Sequence, residues 1–408
     1  MSVITRREFG GALAVLGARA GNLWGAPGID ETLRESMMRR KIPVVTAMVA
    51  TADKTTYSGA FGKRDSASGM DVKIDSIFAI ASMTKAITST AALQLVERGK
   101  LTLDEPAAKH LPELGQVQVL EGFDDSGKPK LRPATKPITL RNLMTHTSGF
   151  AYDTWDAEIA KYTAQAGGAI APATVAPLVP LAFEPGTRWQ YGYGLDWTGR
   201  LVETVSGQTL EQYFQSNILQ PLGMKDTGFI LPAEKFDRLV SAARRQSDGT
   251  LKEDPRTPPT PPKAFNGGGG LFSTAPDYVR FMQMILRHGR RPAKETILQP
   301  RTVQMMSSNQ IGELGAGKLK TVRPAISSDV DFHPGFMDKF TFGFLMNTTA
   351  YAGGRSAGSL AWAGVYNTYY WIDPRRAICA VVMMQFLPFA DKEGVGLLGD
   401  FERAVYAS

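Results

Sequence analysis

The chain has 408 residues, of which 43% are hydrophobic and 21% charged, with a formal net charge of +7. These are the proportions of an average globular protein, and they exclude a disordered, collagen-like or acidic-tail chain. The length fits one large domain with an insertion, or two lobes.

No apolar stretch reaches the ~18 residues of a membrane span, so no stable span is expected. Cys379 is the only cysteine. It permits no intramolecular disulfide and reads as a small buried hydrophobe. The histidines (His110, His146, His288 and His333) are scattered, and no Cys/His cluster has metal-ligand spacing. No metal or organic cofactor is implied. The basic residues are dispersed in pairs such as Arg244-Arg245 and Arg375-Arg376, without the one-sided clustering of a nucleic-acid binder.

Residues 1–27 begin with the twin arginine of Thr5-Arg6-Arg7-Glu8-Phe9, followed by a weakly apolar stretch that Arg19 interrupts. This segment resembles a twin-arginine export signal, which implies a periplasmic protein. The alternative is a short N-terminal arm on a cytoplasmic one.

Residues 29–41 read as a helix ended by Pro43, and 44–50 with 55–61 as a hairpin turning at Asp53-Lys54. Residues 84–98 form a helix with Ile87, Ala91 and Leu95 on its apolar side and Gly99 past its end. Residues 104–140 read as loops, 140–144 as a short helix, and 164–180 as an irregular or lid segment. Helices follow at 198–205 and 209–218. The prolines of 254–262 mark an extended linker before the glycine run Gly267–Gly270. A helix over 275–287 leads to strands at 340–346, 359–363, 367–372 and 377–386, and a last helix over 394–406. Strands near both ends and helices between them predict an α/β lobe of residues 28–80 and 265–408. A mainly helical lobe of residues 81–264 is inserted into it, and the active site lies between the lobes.

Ser82-Met83-Thr84-Lys85 is the only S-x-x-K tetrapeptide in the chain. Positions three apart share a helix face, so Lys85 can stand beside Ser82. A serine hydroxyl needs a neighbouring base to become a nucleophile, and a lysine serves if its environment lowers its pKa. A helix start also offers N–H groups and a positive dipole end to a developing oxyanion. A serine N-cap with a solvated lysine fits the tetrapeptide equally well, so context decides. A second piece is Trp189-Gln190-Tyr191-Gly192-Tyr193 after the turn Pro185-Gly186. A tyrosine there can present its hydroxyl to a cleft and shuttle a proton. A third is Trp362-Ala363-Gly364-Val365 on a strand, where glycine admits close approach and a backbone N–H can complete an oxyanion hole. Gly354-Arg355-Ser356-Ala357-Gly358 matches a G-x-S-x-G elbow but lacks the strand before it and the helix after it. His146, in His-Thr-Ser-Gly, reads as a turn brace rather than a triad histidine.

In this order and spacing the pieces resemble the serine β-lactamase and penicillin-binding-protein superfamily, and within it the family VIII carboxylesterases related to class C β-lactamases. Further segments carry the resemblance: residues 78–85, 138–149, 183–191, 220–224 and 268–274. It implies a β-lactamase-like α+β fold with an antiparallel sheet flanked by helices. It also implies Ser82 as the acylated nucleophile, Lys85 as its basic partner and Tyr191 as the third catalytic residue. The N–H groups of Ser82 and Val365 would form the oxyanion hole, and Tyr152 would lie near the substrate. The lactamase-type Y-x-N asparagine is replaced by Tyr193, and K-T-G by Trp362-Ala363-Gly364. Losing a charge-assisted contact costs ~1.5–3 kcal/mol, which favours neutral esters over penicillins. W-x-G also resembles statin-type acyltransferases. The implied activity is a serine carboxylesterase acting on a small-molecule ester of short to medium acyl chain, with weak β-lactam hydrolysis at most. Tyr152, Trp155, Tyr191, Tyr193 and Trp362 would supply an aromatic rim. A β-lactamase or DD-peptidase, an acyltransferase and a catalytically silent ligand-binding relative are the alternatives.

Overall fold

Val44–Thr51 and Thr55–Gly62 form an antiparallel hairpin in which Val45 faces Phe61 and Val49 faces Tyr57. β-Branched and aromatic residues suit this pleated, buried surface. On its other edge Val44–Thr51 pairs with Ile378–Met383, so that Thr46 faces Met383 and Ala50 faces Cys379. The sheet continues through Thr368–Asp373, Leu360–Gly364, Leu345–Met346 and Lys339–Phe340, giving seven strands that are all antiparallel. The structure, a computed structural model, describes residues 27–165, 179–290 and 296–407. The expected export segment lies outside them, as does most of the expected irregular segment over 164–180.

Helices cover both faces of the sheet, which is why Val44–Thr51 and Ile378–Met383 read as continuous apolar runs. On one face Trp371 packs against Phe401 and Tyr406 of the last helix, Lys392–Ala407, which lies against the first helix, Pro27–Arg40. On the other face Tyr370 meets Tyr278 of the Ala275–Leu286 helix, with centroids 4.9 Å apart. Adjacent residues point to opposite faces, as the pleat requires. Cys379 is buried in this sheet, and burial pushes its thiol pKa up. Arg355 and Glu402, both buried, pin the turn before Leu360–Gly364 to the last helix. Arg355 donates from Nε and Nη2 to Oε1 and Oε2 at 2.8 and 2.6 Å, and its main-chain N–H adds a third bond at 2.9 Å.

The Thr84–Glu97 helix is buried on every side from Thr84 to Leu95, as expected of a helix running through the interior. It packs on Gly194–Ser206. Two spans differ from expectation. Residues 340–346 form two short strands, because Gly343 at φ 98° turns the chain between them. Residues 104–140 contain a hairpin of Gln118–Phe123 with Pro129–Pro133, whose charges and prolines hide the strand alternation. Among the described residues, no helix is long and apolar enough to cross a membrane.

Candidate active site

Ser82 lies in a 3₁₀ turn, Ala81–Met83, that runs directly into the Thr84–Glu97 helix. Ala81 has φ 43°, a left-handed conformation that an alanine adopts at a cost. Neighbouring bonds hold it there. Ile80 N–H donates to Leu271 O at 3.0 Å, and the Tyr278 hydroxyl donates to Met83 O at 2.9 Å. Ser82 is thereby half-buried in the turn that leads into the helix.

One helical step on, Lys85 is 1% exposed. Its Nζ donates to Ser82 Oγ at 3.0 Å, to the Tyr152 hydroxyl at 3.1 Å and to Gly268 O at 2.5 Å. Three oxygens thus surround this nitrogen within hydrogen-bond reach. The same nitrogen stands 4.7 Å from the ring centroid of Tyr191 and 5.2 Å from that of Tyr152. The Tyr152 hydroxyl in turn donates a hydrogen bond to Asp196 Oδ2 at 3.1 Å. A polar chain therefore runs from Ser82 through Lys85 and Tyr152 to Asp196. Burial pushes the Asp196 carboxyl up to about 6 against the pull of Lys85. Burial and then Asp196 raise the Tyr152 phenol. The glycine run is built to this carboxylate: a Cβ on Gly268 would lie 2.4 Å from Asp196 Oδ2.

Tyr191 is buried, and its hydroxyl accepts the indole N–H of Trp362 at 3.3 Å. Lys85 thus meets Tyr152 through a hydrogen bond and Tyr191 through its ring face. Tyr193 stacks edge-on against Tyr152 with centroids 4.3 Å apart, and burial raises its phenol pKa. Trp155 lies 5.3 Å from Tyr191, and its indole N–H donates to Ser327 Oγ at 3.2 Å. The structure therefore gathers Ser82, Lys85, Tyr152, Tyr191, Tyr193 and Trp362 into one cluster, with Trp155 on its side.

Gly364 ends its strand against the Ser82 turn. A Cβ there would stand 2.3 Å from Ile80 O and 2.4 Å from Thr368 Oγ1. Only glycine brings the strand this close, which carries the following residue, Val365, to the same turn. Two further sequence candidates are held by other bonds. Ser356 sits in a turn, its main-chain N–H bound to Asp373 Oδ2 at 2.9 Å. His146 accepts the Gly192 N–H on Nδ1 at 3.3 Å. Its imidazole is held well below the usual range by burial and then by Lys85.

The sequence profile of the beta-lactamase family matches residues 29–399. The chain belongs to the beta-lactamase family. Among its relatives is monacolin J acid methylbutanoyltransferase of Aspergillus terreus, 31% identical, with 93% of this chain and 95% of that one covered. Lovastatin esterase of Penicillium rubens is 33% identical over 81% of this chain and 85% of its own. Among solved structures, unliganded simvastatin synthase from Aspergillus terreus superposes with a TM-score of 0.79 at 31% identity. That match covers 93% of this chain and 97% of the other.

Two groups at the centre of this beta-lactamase-family site are not singled out by sequence pattern, namely Asp196 and the Gly268 carbonyl. Gly267–Gly270 offers no phosphate motif, and a main-chain acceptor leaves no mark on a side-chain pattern. Asp196 looks like an ordinary acid in the first turn of a helix, where the dipole favours it. Its flanks, Leu195 and Trp197, were the available signal, since a carboxylate inside an apolar run needs a partner.

Proposed function

We propose that the chain is a serine-type acyl-enzyme catalyst that works on esters. The observation that carries this reading is the 3.0 Å contact of the buried Lys85 Nζ with Ser82 Oγ at a helix start. Ser82 Oγ attacks the ester carbonyl carbon. Its proton passes to the Lys85–Tyr191 pair, which returns it to the alkoxide that leaves. The N–H groups of Ser82 and Val365 hold the oxyanion meanwhile. A second oxygen nucleophile, water or an alcohol, then takes the acyl group and regenerates the Ser82 hydroxyl. Water makes the protein a carboxylesterase for short- to medium-chain acyl groups, received by the aromatic rim. An alcohol makes it an acyltransferase, a reading favoured by the likeness to a relative named as a methylbutanoyltransferase. The indole at 362, where lactamase-type enzymes carry a lysine, supports a preference for neutral esters over β-lactams. The twin arginine supports a periplasmic site of action, tested by fractionating cells that express wild type and Arg6→Lys/Arg7→Lys.

The test is turnover of p-nitrophenyl butyrate and nitrocefin by wild type, Ser82→Ala and Ser356→Ala, with and without an added primary alcohol. Ester cleavage that disappears only in Ser82→Ala is the expected result. Alcohol-dependent formation of the butyrate ester selects the transferase reading. Dominant nitrocefin cleavage would reassign the enzyme as a β-lactamase. Activity that survives Ser82→Ala would overturn the mechanism.

A further inference from the structure

Tyr191 is flanked by two residues that hydrogen bond to a single partner. Gln190 N–H donates to the main-chain oxygen of His146 at 3.0 Å. On the other side, Gly192 N–H donates to His146 Nδ1 at 3.3 Å. The imidazole packs between these two attachments, its centroid 4.7 Å from that of Tyr191 at an interplanar angle of 62°. Phe340 closes the box at 5.2 Å.

His146 is 1% exposed, with a φ of 58°. Among residues with a side chain, histidine and asparagine adopt that left-handed backbone more readily than most. Because Nδ1 accepts the Gly192 N–H, the neutral ring carries its own hydrogen on Nε2, which has no hydrogen-bond partner among the described residues. The ring's one basic lone pair is thus already committed to Gly192, which leaves His146 no role as a base toward Ser82.

We infer that His146 is a positioning residue for Tyr191. It clamps the main chain on both sides of the tyrosine and presses on its ring, which fixes the hydroxyl where it meets Trp362. The inference rests on the acyl-enzyme reading above for its effect on turnover, but the clamp itself has a readout free of activity. A displacement of about 1 Å at a reacting group is enough to cost on the order of 100-fold in rate.

The test compares His146→Asn with His146→Ala. Asparagine tolerates the left-handed backbone and places its Oδ1 close to the position of Nδ1, so it can still accept from Gly192. Alanine does neither. The expected result is a kcat for p-nitrophenyl butyrate lowered about 100-fold in His146→Ala at little changed KM, and restored to within a few-fold in His146→Asn. Val382→Ala, in the sheet away from Tyr191, controls for loss of Tm alone. The activity-free readout is the ¹⁵N-indole resonance of Trp362, which should move in His146→Ala and return in His146→Asn. An unmoved resonance with wild-type kcat in His146→Ala overturns the inference, as does an asparagine variant that behaves like alanine. If Ser82→Ala keeps its activity, the acyl-enzyme reading falls and the Trp362 resonance alone decides on the clamp.

Discussion

Trp362 donates its indole N–H to the hydroxyl of Tyr191 across 3.3 Å, their ring centroids 4.9 Å apart. The two come from distant parts of the chain, one from a strand and one from the loop before a helix. The bond leaves the tyrosine oxygen with a fixed donor, so its own proton must point elsewhere. Trp362→Phe keeps the buried ring and removes the donor. It should lower kcat/KM for p-nitrophenyl esters about tenfold, the worth of roughly one buried hydrogen bond. Unchanged kinetics in a properly folded Trp362→Phe would show that the bond does not orient Tyr191.

Asp196 gives a pH dependence with a definite sign. Burial lifts its carboxyl to about 6, above the value of an unfolded chain. A raised acid contributes stability that is full below about pH 4 and lost as the pH rises through about 6. Asp196→Asn, neutral throughout, should therefore gain on wild type between those values, by up to ~3 kcal/mol at alkaline pH. His146 runs the opposite way. Its pKa is depressed, so its contribution is present above about pH 6.5 and lost on acidification. Urea denaturation of variant and wild type in parallel separates the two. A stability difference that does not change with pH would refute the assignment to Asp196.

Gly364→Ala places a Cβ against Ile80 O and Thr368 Oγ1. Neither a main-chain carbonyl nor a buried threonine can withdraw far, so the strand end must shift off the Ser82 turn. That displaces the Val365 N–H, and loss of one oxyanion donor lowers kcat by about 100-fold or more. Stopped-flow acylation with a p-nitrophenyl ester measures the step directly. Wild-type acylation in Gly364→Ala would remove Val365 from the oxyanion site.

The Arg355–Glu402 pair predicts a stability effect remote from Ser82. Arg355→Met leaves Glu402 buried without its guanidinium, which costs about 3–5 kcal/mol. Arg355→Met/Glu402→Met replaces both charges and should recover most of that loss. Equilibrium unfolding of the three proteins tests it, and a single variant as stable as wild type would contradict the burial of the pair.

Much of this site is legible in the sequence because its first elements are local. Ser82 and Lys85 are joined by the period of one helix, and Trp362 with Gly364 by the pleat of one strand. Tyr152 could be placed only through the family resemblance, since nothing in its own neighbourhood points to a lysine. Asp196 escapes altogether. Its role exists only once the Gly194–Ser206 helix packs on Thr84–Glu97 and buries it beneath Lys85. The fold divides in the same way. The hairpin over 44–62 and the apolar strands over 367–383 follow from short apolar, β-branched runs and the turns between them. The break at Gly343 depends on a backbone angle that composition does not report. The hairpin within 104–140 has alternate faces too exposed to show a pattern.

The pairing of Val44–Thr51 with Ile378–Met383 has a bearing on biosynthesis. The first hairpin leaves the ribosome with one edge bare, and its partner strand follows far downstream in the chain. Until then that edge is an open template for other chains. Contacts between opposite ends of a chain are also slow to close, because the intervening loop must be ordered first. The site at Ser82, which Gly364 of the strand Leu360–Gly364 abuts, is therefore completed only after that distant strand has been made. On the proposed mechanism, a chain truncated before Leu360 would carry Ser82 and Lys85 but lack the Val365 N–H, and so would be silent.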